Sequence, residues 1–236
     1  KYSASSWLNF FISFISVGVC TRLFAPDVMG EINYFVTTSN LLMGLITLGL
    51  DSMYIRYYHE PPCGMSNKQL GAKSLYSNLF VFFLLFVITF IILPGKSSLL
   101  LIKRIDQKYL LLLLVNTVLL LLMRYLNIYF RMRNKVNSYI IQSALLQVCA
   151  KVLIILAFFL DSKAVTAISF SVAGSLVLTI IYLLIYAKDF FPSKVSLSFK
   201  GMKDNLLYAF YSWPVPFVIY LNIWPSQRII IEKLTV

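Results

Sequence analysis

AVTAISFSVAGSLVLTIIYLLIYA, residues 164–187, contains no charged side chain. As a helix rising 1.5 Å per residue it would be roughly 36 Å long, enough to cross the ~30 Å hydrocarbon core of a bilayer. A strand of a membrane barrel would instead be a short segment of alternating hydrophobicity. The stretch therefore reads as a transmembrane helix.

The rest of the chain repeats the pattern. Further apolar segments run over roughly 5–24, 31–55, 73–94, 108–130, 138–160 and 206–225. Hydrophobic residues make up 59% of 236, and the mean hydropathy is +0.80. Charged residues are 13%, about half the share usual in soluble domains. The expected fold is all-α, a polytopic membrane helical bundle of about seven transmembrane helices. The connections are short and carry turn formers: Ala25-Pro26-Asp27, Pro61-Pro62-Cys63-Gly64, Pro94-Gly95, Asp161-Ser162-Lys163 and Phe191-Pro192-Ser193. None is large enough for a separate domain, so residues 1–236 are expected to form a single membrane domain.

The 21 Lys and Arg against 9 Asp and Glu give a net charge of +12. Most of this excess falls in loops, where it sets topology, since basic loops stay cytoplasmic. The side holding loops 2–3, 4–5 and 6–7 carries ten basic residues, Arg56, Lys68, Lys73, Arg131, Arg133, Lys135, Lys188, Lys194, Lys200 and Lys203. The opposite side carries six, Arg22, Lys96, Lys103, Arg104, Lys108 and Lys163. The first side and the N-terminus are therefore expected in the cytoplasm. No compact basic domain exists to grip nucleic acid. Cys20, Cys63 and Cys149 lack paired spacing, and His59 is the sole histidine, so no disulfide framework, zinc site or His-based dyad is expected. The chain opens with Lys1 rather than Met and stops in mid-pattern at Val236, which suggests a piece of a longer protein.

Polar residues inside the apolar segments carry the functional signal. Asn33, Thr37, Asn40, Gly44, Thr47 and Asp51 recur at steps of four and three, a single face on an unbroken helix. Asn9, Ser13, Ser16 and Cys20 repeat the device in the first segment. Small and hydroxyl residues alone would read as helix–helix contact. Two Asn and an Asp on one line point instead to a hydrated cavity, because an acid at depth is costly unless it serves a function. In the fourth segment Asn116, Arg124, Asn127 and Arg131 share a quarter of the circumference; in the fifth, Ser143, Gln147 and Lys151 align. Lys151 sits near the middle of its segment, where an ammonium costs on the order of 3 kcal/mol or more. Arg124 is shallower and could snorkel. A cationic, hydrated groove within helices suits a lipid pyrophosphate, whose head needs basic partners while its tail stays in the bilayer. Such flipping needs no catalytic residue and no cofactor.

Leu48-Gly49-Leu50-Asp51-Ser52-Met53-Tyr54-Ile55-Arg56-Tyr57-Tyr58-His59-Glu60 resembles the end of the second helix of Wzx-type O-antigen flippases. These belong to the multidrug/oligosaccharidyl-lipid/polysaccharide exporter superfamily. Arg22-Leu23-Phe24-Ala25-Pro26-Asp27-Val28-Met29-Gly30 resembles the family's first-helix exit. Tyr208 to Ile231, with Pro214 and Pro216 followed by Arg228, resembles its seventh helix. The resemblance covers nearly the whole chain.

It implies two six-helix bundles facing each other in a V, with residues 1–187 as the N-terminal bundle, 188–205 as a cytoplasmic linker and 206–236 as the start of the second bundle. It also implies alternating access in the bacterial inner membrane and a cationic cavity for an undecaprenyl-diphosphate-linked glycan. The implied partners are that glycan lipid, the bilayer, a glycan polymerase and chain-length proteins. By position, Arg22, Asp51, Arg56 and Arg228 match the family's recurrent polar sites. Gln227 departs from the acidic residue often found before the last of these. On an unbroken helix Arg22 points away from the Asn9–Cys20 stripe and suits a membrane-boundary anchor. Trp7 and Arg22 are spaced like Trp213 and Arg228, as two similar halves would require.

The substrate-binding residues expected are Lys151 and Arg124 for the pyrophosphate, with Arg22, Arg56 and Arg228 guiding it. Asn9, Asn33, Thr37 and Asn40 would hydrate the sugars. Asp51 would couple an ion, or pair with Arg56. The competing readings are a membrane-embedded glycan polymerase, which would need a sizeable external loop, and a multidrug exporter, whose cavity should be acidic.

Overall fold

The computed structural model describes residues 2–88, 107–190 and 203–225, apart from 215, 216 and 220. Every regular element among them is helical. The order is α1 (Tyr2–Leu23), α2 (Pro26–Thr47), α3 (Leu50–Arg56), α4 (Asn67–Val87), α5 (Gln107–Met132), α6 (Val136–Phe158), α7 (Ala164–Phe190) and α8 (Lys203–Ser212), with one 3-10 turn at Pro62–Gly64. Further helical residues, 217–219 and 221–225, follow α8. Most of the expected 188–205 linker, together with Lys96, Lys103, Arg104, Pro216 and Gln227, lies outside the described residues.

Local signals explain the ends. Pro26 occupies the first turn of α2, where its missing N–H costs nothing, and Asp27 complements the positive end of the helix. Ser66 and Gln69 form a capping box on α4: the Gln69 N–H donates to the Ser66 hydroxyl at 3.3 Å, and the Ser66 N–H donates to Gln69 Oε1 at 3.0 Å. Asn134, at φ 55°, turns the chain from α5 into α6.

Six spans among the described residues are long and apolar enough to cross a membrane: Ser6–Leu23, Asn67–Val87, Tyr109–Met132, Val136–Phe158, Ala164–Tyr186 and Lys203–Pro225. The chain is a multi-pass membrane protein. The remaining expected segment, the second, contains α2, which is long enough but too polar to count by composition. Its position explains the tolerance. Tyr34, Phe35, Thr38, Ser39, Met43 and Ile46 are buried, and α1, α4, α5 and α7 all contact it. A helix sheltered by its neighbours can carry polar groups that a lipid-facing helix cannot. The outer helices show the converse: Trp7, Phe10, Phe11 and Phe14 on α1 and Phe80, Phe83 and Leu84 on α4 are exposed, a face suited to acyl chains.

One expectation is corrected. Segment 31–55 is two helices, because Leu48 (φ 44°) and Gly49 (φ 72°) both adopt the left-handed conformation. Asp51 therefore stands on α3 and not on the continuous face of Asn33 to Thr47. Gly49 is required twice over. Its φ disfavours any side chain, and a Cβ there would collide with the Ala209 carbonyl of α8. The break frees carbonyls at the end of α2, and Asn78 of α4 answers them. Oriented by its hydrogen-bond partners, its amide donates to the Ile46 and Thr47 carbonyls, both at 3.2 Å, and accepts from the Tyr125 hydroxyl at 2.8 Å.

The strands of chain alternate in direction, so the C-terminal ends of α3, α5 and α7 and the N-terminal ends of α4, α6 and α8 share one face. Tyrosines gather there. Tyr54 stacks on Tyr125 at 6.3 Å, Phe130 meets Tyr186 edge-on at 4.9 Å, and Arg133 lies 4.7 Å from the Tyr129 ring centre. These rings are part of the buried core at this end of the bundle, and Arg131, Arg133 and Lys135 beside them mark its aqueous side.

Candidate functional site

The site is built where α3 meets α5. Asp51 is buried on the first turn of α3, and Arg124 lies about two-thirds of the way along α5. The Arg124 Nε–H donates to Asp51 Oδ2 at 2.7 Å, and its Nη2 completes an ion pair with the same oxygen. The Asp51 side chain is 4% exposed and that of Arg124 is 35%. The carboxylate is thus enclosed, while part of the guanidinium remains accessible. This corrects the expected pairing of Asp51 with Arg56, which lies exposed at the end of α3. The physical reason is direction: at the start of α3, Asp51 faces inward to α5, whereas Arg56 points to the aqueous end.

The polar face of α5 continues from this pair. Asn116 donates to the Ser39 hydroxyl of α2 at 3.0 Å, and Tyr109 donates to Glu31 at 3.1 Å. Asn127 Oδ1 is buried without a hydrogen-bond partner. The α2–α5 contact is therefore a polar seam inside an apolar bundle.

The line on α2 divides in two. Asn33 is exposed and Thr37 and Asn40 are partly exposed, so this stretch remains open. Gly44 and Thr47 are buried, and the chain after α8 covers that region. The Trp213 indole N–H donates to the Gly44 carbonyl at 2.8 Å, and that of Trp224 donates to the Thr38 hydroxyl at 3.1 Å. An open row of Asn and Thr among apolar helices needs water, or polar groups, in front of it.

The other expected residues stand elsewhere. Asn9, expected beside the sugars, lies in the α1–α6 contact, where its amide donates to the Ser143 hydroxyl at 2.6 Å. Ser16 and Cys20 are buried on the same face of α1. This stripe is used for helix association, as its small residues permit. Lys151 is partly exposed on α6, within electrostatic reach of Cys20, and makes no hydrogen bond or ion pair with the described residues. It also differs in depth. From the tyrosine-rich face, Arg124 is roughly 12 Å in and Lys151 roughly 22 Å, counting residues from the helix ends. Arg22 lies exposed on the outward side of α1, in a shallow apolar groove with Phe14 and Val17. Arg228 lies outside the described residues. The structure thus joins Asp51 with Arg124, places Asn33, Thr37 and Asn40 on one open face, and sets Asn9, Lys151, Arg22 and Arg56 apart.

Asn78, Tyr125 and Ser39 were missed by sequence reasoning. Asn78 and Tyr125 were visible as polar residues within apolar runs, but nothing in the spacing links α4 to α5. Among the described residues, no group of His, Cys, Asp and Glu could hold a metal ion.

Residues 2–235 match the family model described as polysaccharide biosynthesis protein. No curated protein and no solved structure matches the chain.

Proposed function

We propose, from the premise that this chain belongs to the polysaccharide biosynthesis protein family, the family of Wzx-type polysaccharide flippases and exporters, that it carries a polyprenyl-diphosphate-linked oligosaccharide across the membrane. Membership makes it a polysaccharide-related membrane transporter. The cargo is an O-antigen or capsule repeat unit, moved from the cytoplasmic to the periplasmic leaflet of a bacterial inner membrane by alternating access.

The observation that carries this reading is the accessible Arg124 guanidinium held by the enclosed Asp51. A buried ion pair is not retained for stability, since well-packed apolar residues serve at least as well. Here it keeps a cation at depth without neutralising it fully. An incoming diphosphate, with more charge and more acceptor oxygens than one carboxylate, competes for the same guanidinium. Asn33, Thr37 and Asn40 then offer amide and hydroxyl groups to sugars. Lys151, about 10 Å farther from the tyrosine-rich face, provides a second cationic station; Arg22 and Arg56 guide the head group at the membrane boundaries, and Arg228 is a further guiding cation. Residues 1–187 act as one bundle and 206–236 as the start of the next. Family members are generally transporters rather than enzymes, and the mechanism asks no side chain to make or break a covalent bond.

The test is a cell-based assay of surface glycan with a parallel assay of lipid-linked precursor. Arg124→Gln and Lys151→Ala should each lower surface glycan and raise precursor in the cytoplasmic leaflet, with normal membrane insertion. Wild-type glycan display by both variants would remove these cations from the mechanism.

A further inference from the structure

An apolar groove opens between α3, α4 and α8, beside the break that separates α2 from α3. Leu48 and Leu50 flank the break, Phe80 and Val81 come from α4, and Leu206 and Phe210 come from α8. Its volume is about 610 Å³, within the ~300–1,000 Å³ range of ligand sites. Among the described residues that line it, the polar ones are Tyr76 and Ser77, which lie together on its α4 side at the positions nearest the start of that helix. We propose that this groove seats the polyprenyl chain of the carried lipid, a proposal that rests on the flippase reading above.

Three features argue for that occupant. The lining is hydrocarbon and aromatic, and the α4 residues involved stand roughly 13–21 Å from Asn67, at the depth of acyl chains. The polar end faces the basic, tyrosine-rich side of the bundle, which fixes the orientation of an amphiphile: anionic head toward the basic side, chain inward. The groove also lies against the short helix that holds the ion pair. Leu50 lines it and the next residue is Asp51, so α3, only seven residues long, separates a seat for hydrocarbon from the cation for a phosphate. A lipid spanning both would be held at head and tail while its glycan faces the open α2 row.

The groove is built at some expense to the backbone. Leu48 holds φ 44°, a conformation unfavourable for a branched, bulky side chain, and is 37% exposed there. Strain of this kind persists where surrounding structure enforces it and often accompanies binding sites.

Binding of undecaprenyl phosphate, farnesyl phosphate and phosphatidylglycerol to the purified chain in detergent tests the proposal. Wild-type protein should prefer undecaprenyl phosphate to both others. Val81→Trp, which fills the groove, should weaken undecaprenyl phosphate by about tenfold and leave farnesyl phosphate unchanged, a readout well outside measurement scatter. Phe210→Ala, which removes a wall without adding bulk, should also weaken the long chain; thermal melting of each variant shows that it is folded. If Arg124→Gln weakens undecaprenyl phosphate while both groove variants do not, the groove is not the tail seat and the flippase reading stands. Equal binding of phosphatidylglycerol, lost equally in the groove variants, would make the groove a seat for bulk lipid and overturn the proposal. No binding of undecaprenyl phosphate by wild-type protein would overturn both readings.

Discussion

At the scale of single residues, the Asp51–Arg124 pair sets the energetics of the site. Removing one partner of a buried pair costs ~3–5 kcal/mol because the other charge is left uncompensated. The two losses here are unequal. Arg124→Gln strands a carboxylate that is 4% exposed, whereas Asp51→Asn strands a guanidinium that is 35% exposed and partly hydrated. Arg124→Gln should therefore cost more, about 2–4 kcal/mol, and Asp51→Asn about 1–2 kcal/mol once solvent access is allowed for. The double variant should recover part of the loss, with a coupling energy of about 1–3 kcal/mol in thermal melts. Simple additivity would mean that the two groups do not depend on each other. The same residues show what sequence could not supply. That Asp51 and Arg124 are charged groups set within apolar runs was legible from the sequence alone. Their partnership was not, because helix periodicity orders residues along one helix and carries no information about which helix lies opposite.

At the scale of elements, the Leu48–Gly49 break decides where Asp51 points. Gly49→Ala puts a methyl group against the Ala209 carbonyl and asks alanine to hold φ 72°. It should destabilise the protein by at least ~2 kcal/mol and loosen α8 from α3, seen as a lowered melting temperature and faster proteolysis within α8. Leu48→Gly should act in the opposite direction on the backbone, relieving about 1 kcal/mol of left-handed strain. Equal losses from both substitutions would show that side-chain packing, and not backbone conformation, governs the break. The positions of α1, α5, α6 and α7 were legible to within a few residues, since long apolar runs leave a membrane helix little freedom, whereas α4 starts six residues before its apolar run, at the Ser66 cap. The break was not. Leu48-Gly49-Leu50 sits in an unbroken apolar run, and glycines of membrane helices often mark close packing without a change in direction. Only the carbonyl of Ala209, more than 150 residues away in sequence, and the amide of Asn78 explain why the chain turns there.

At the scale of the whole molecule, the direction of transport depends on which face lies in the cytoplasm. By helix position, the tyrosine-rich end carries Arg56, Lys68, Arg131, Arg133, Lys135, Lys188 and Lys203, with Lys73 buried further in, and the opposite end carries Arg22, Lys108 and Lys163. Basic residues near helix ends are retained on the cytoplasmic side, so the tyrosine-rich face should lie inside and the α6–α7 turn outside. Glu60 and Ser162 are exposed at these two ends, which makes them suitable reporters. In a variant lacking the native cysteines, Ser162→Cys should react with a membrane-impermeant maleimide added to cells whose outer membrane has been opened. Glu60→Cys should react only after the inner membrane is also permeabilised. The reverse labelling would place Arg124 nearer the periplasm than Lys151. A head group loading from the cytoplasm would then meet Lys151 first, and an outward-directed step beginning at the Asp51–Arg124 pair would lose its physical basis.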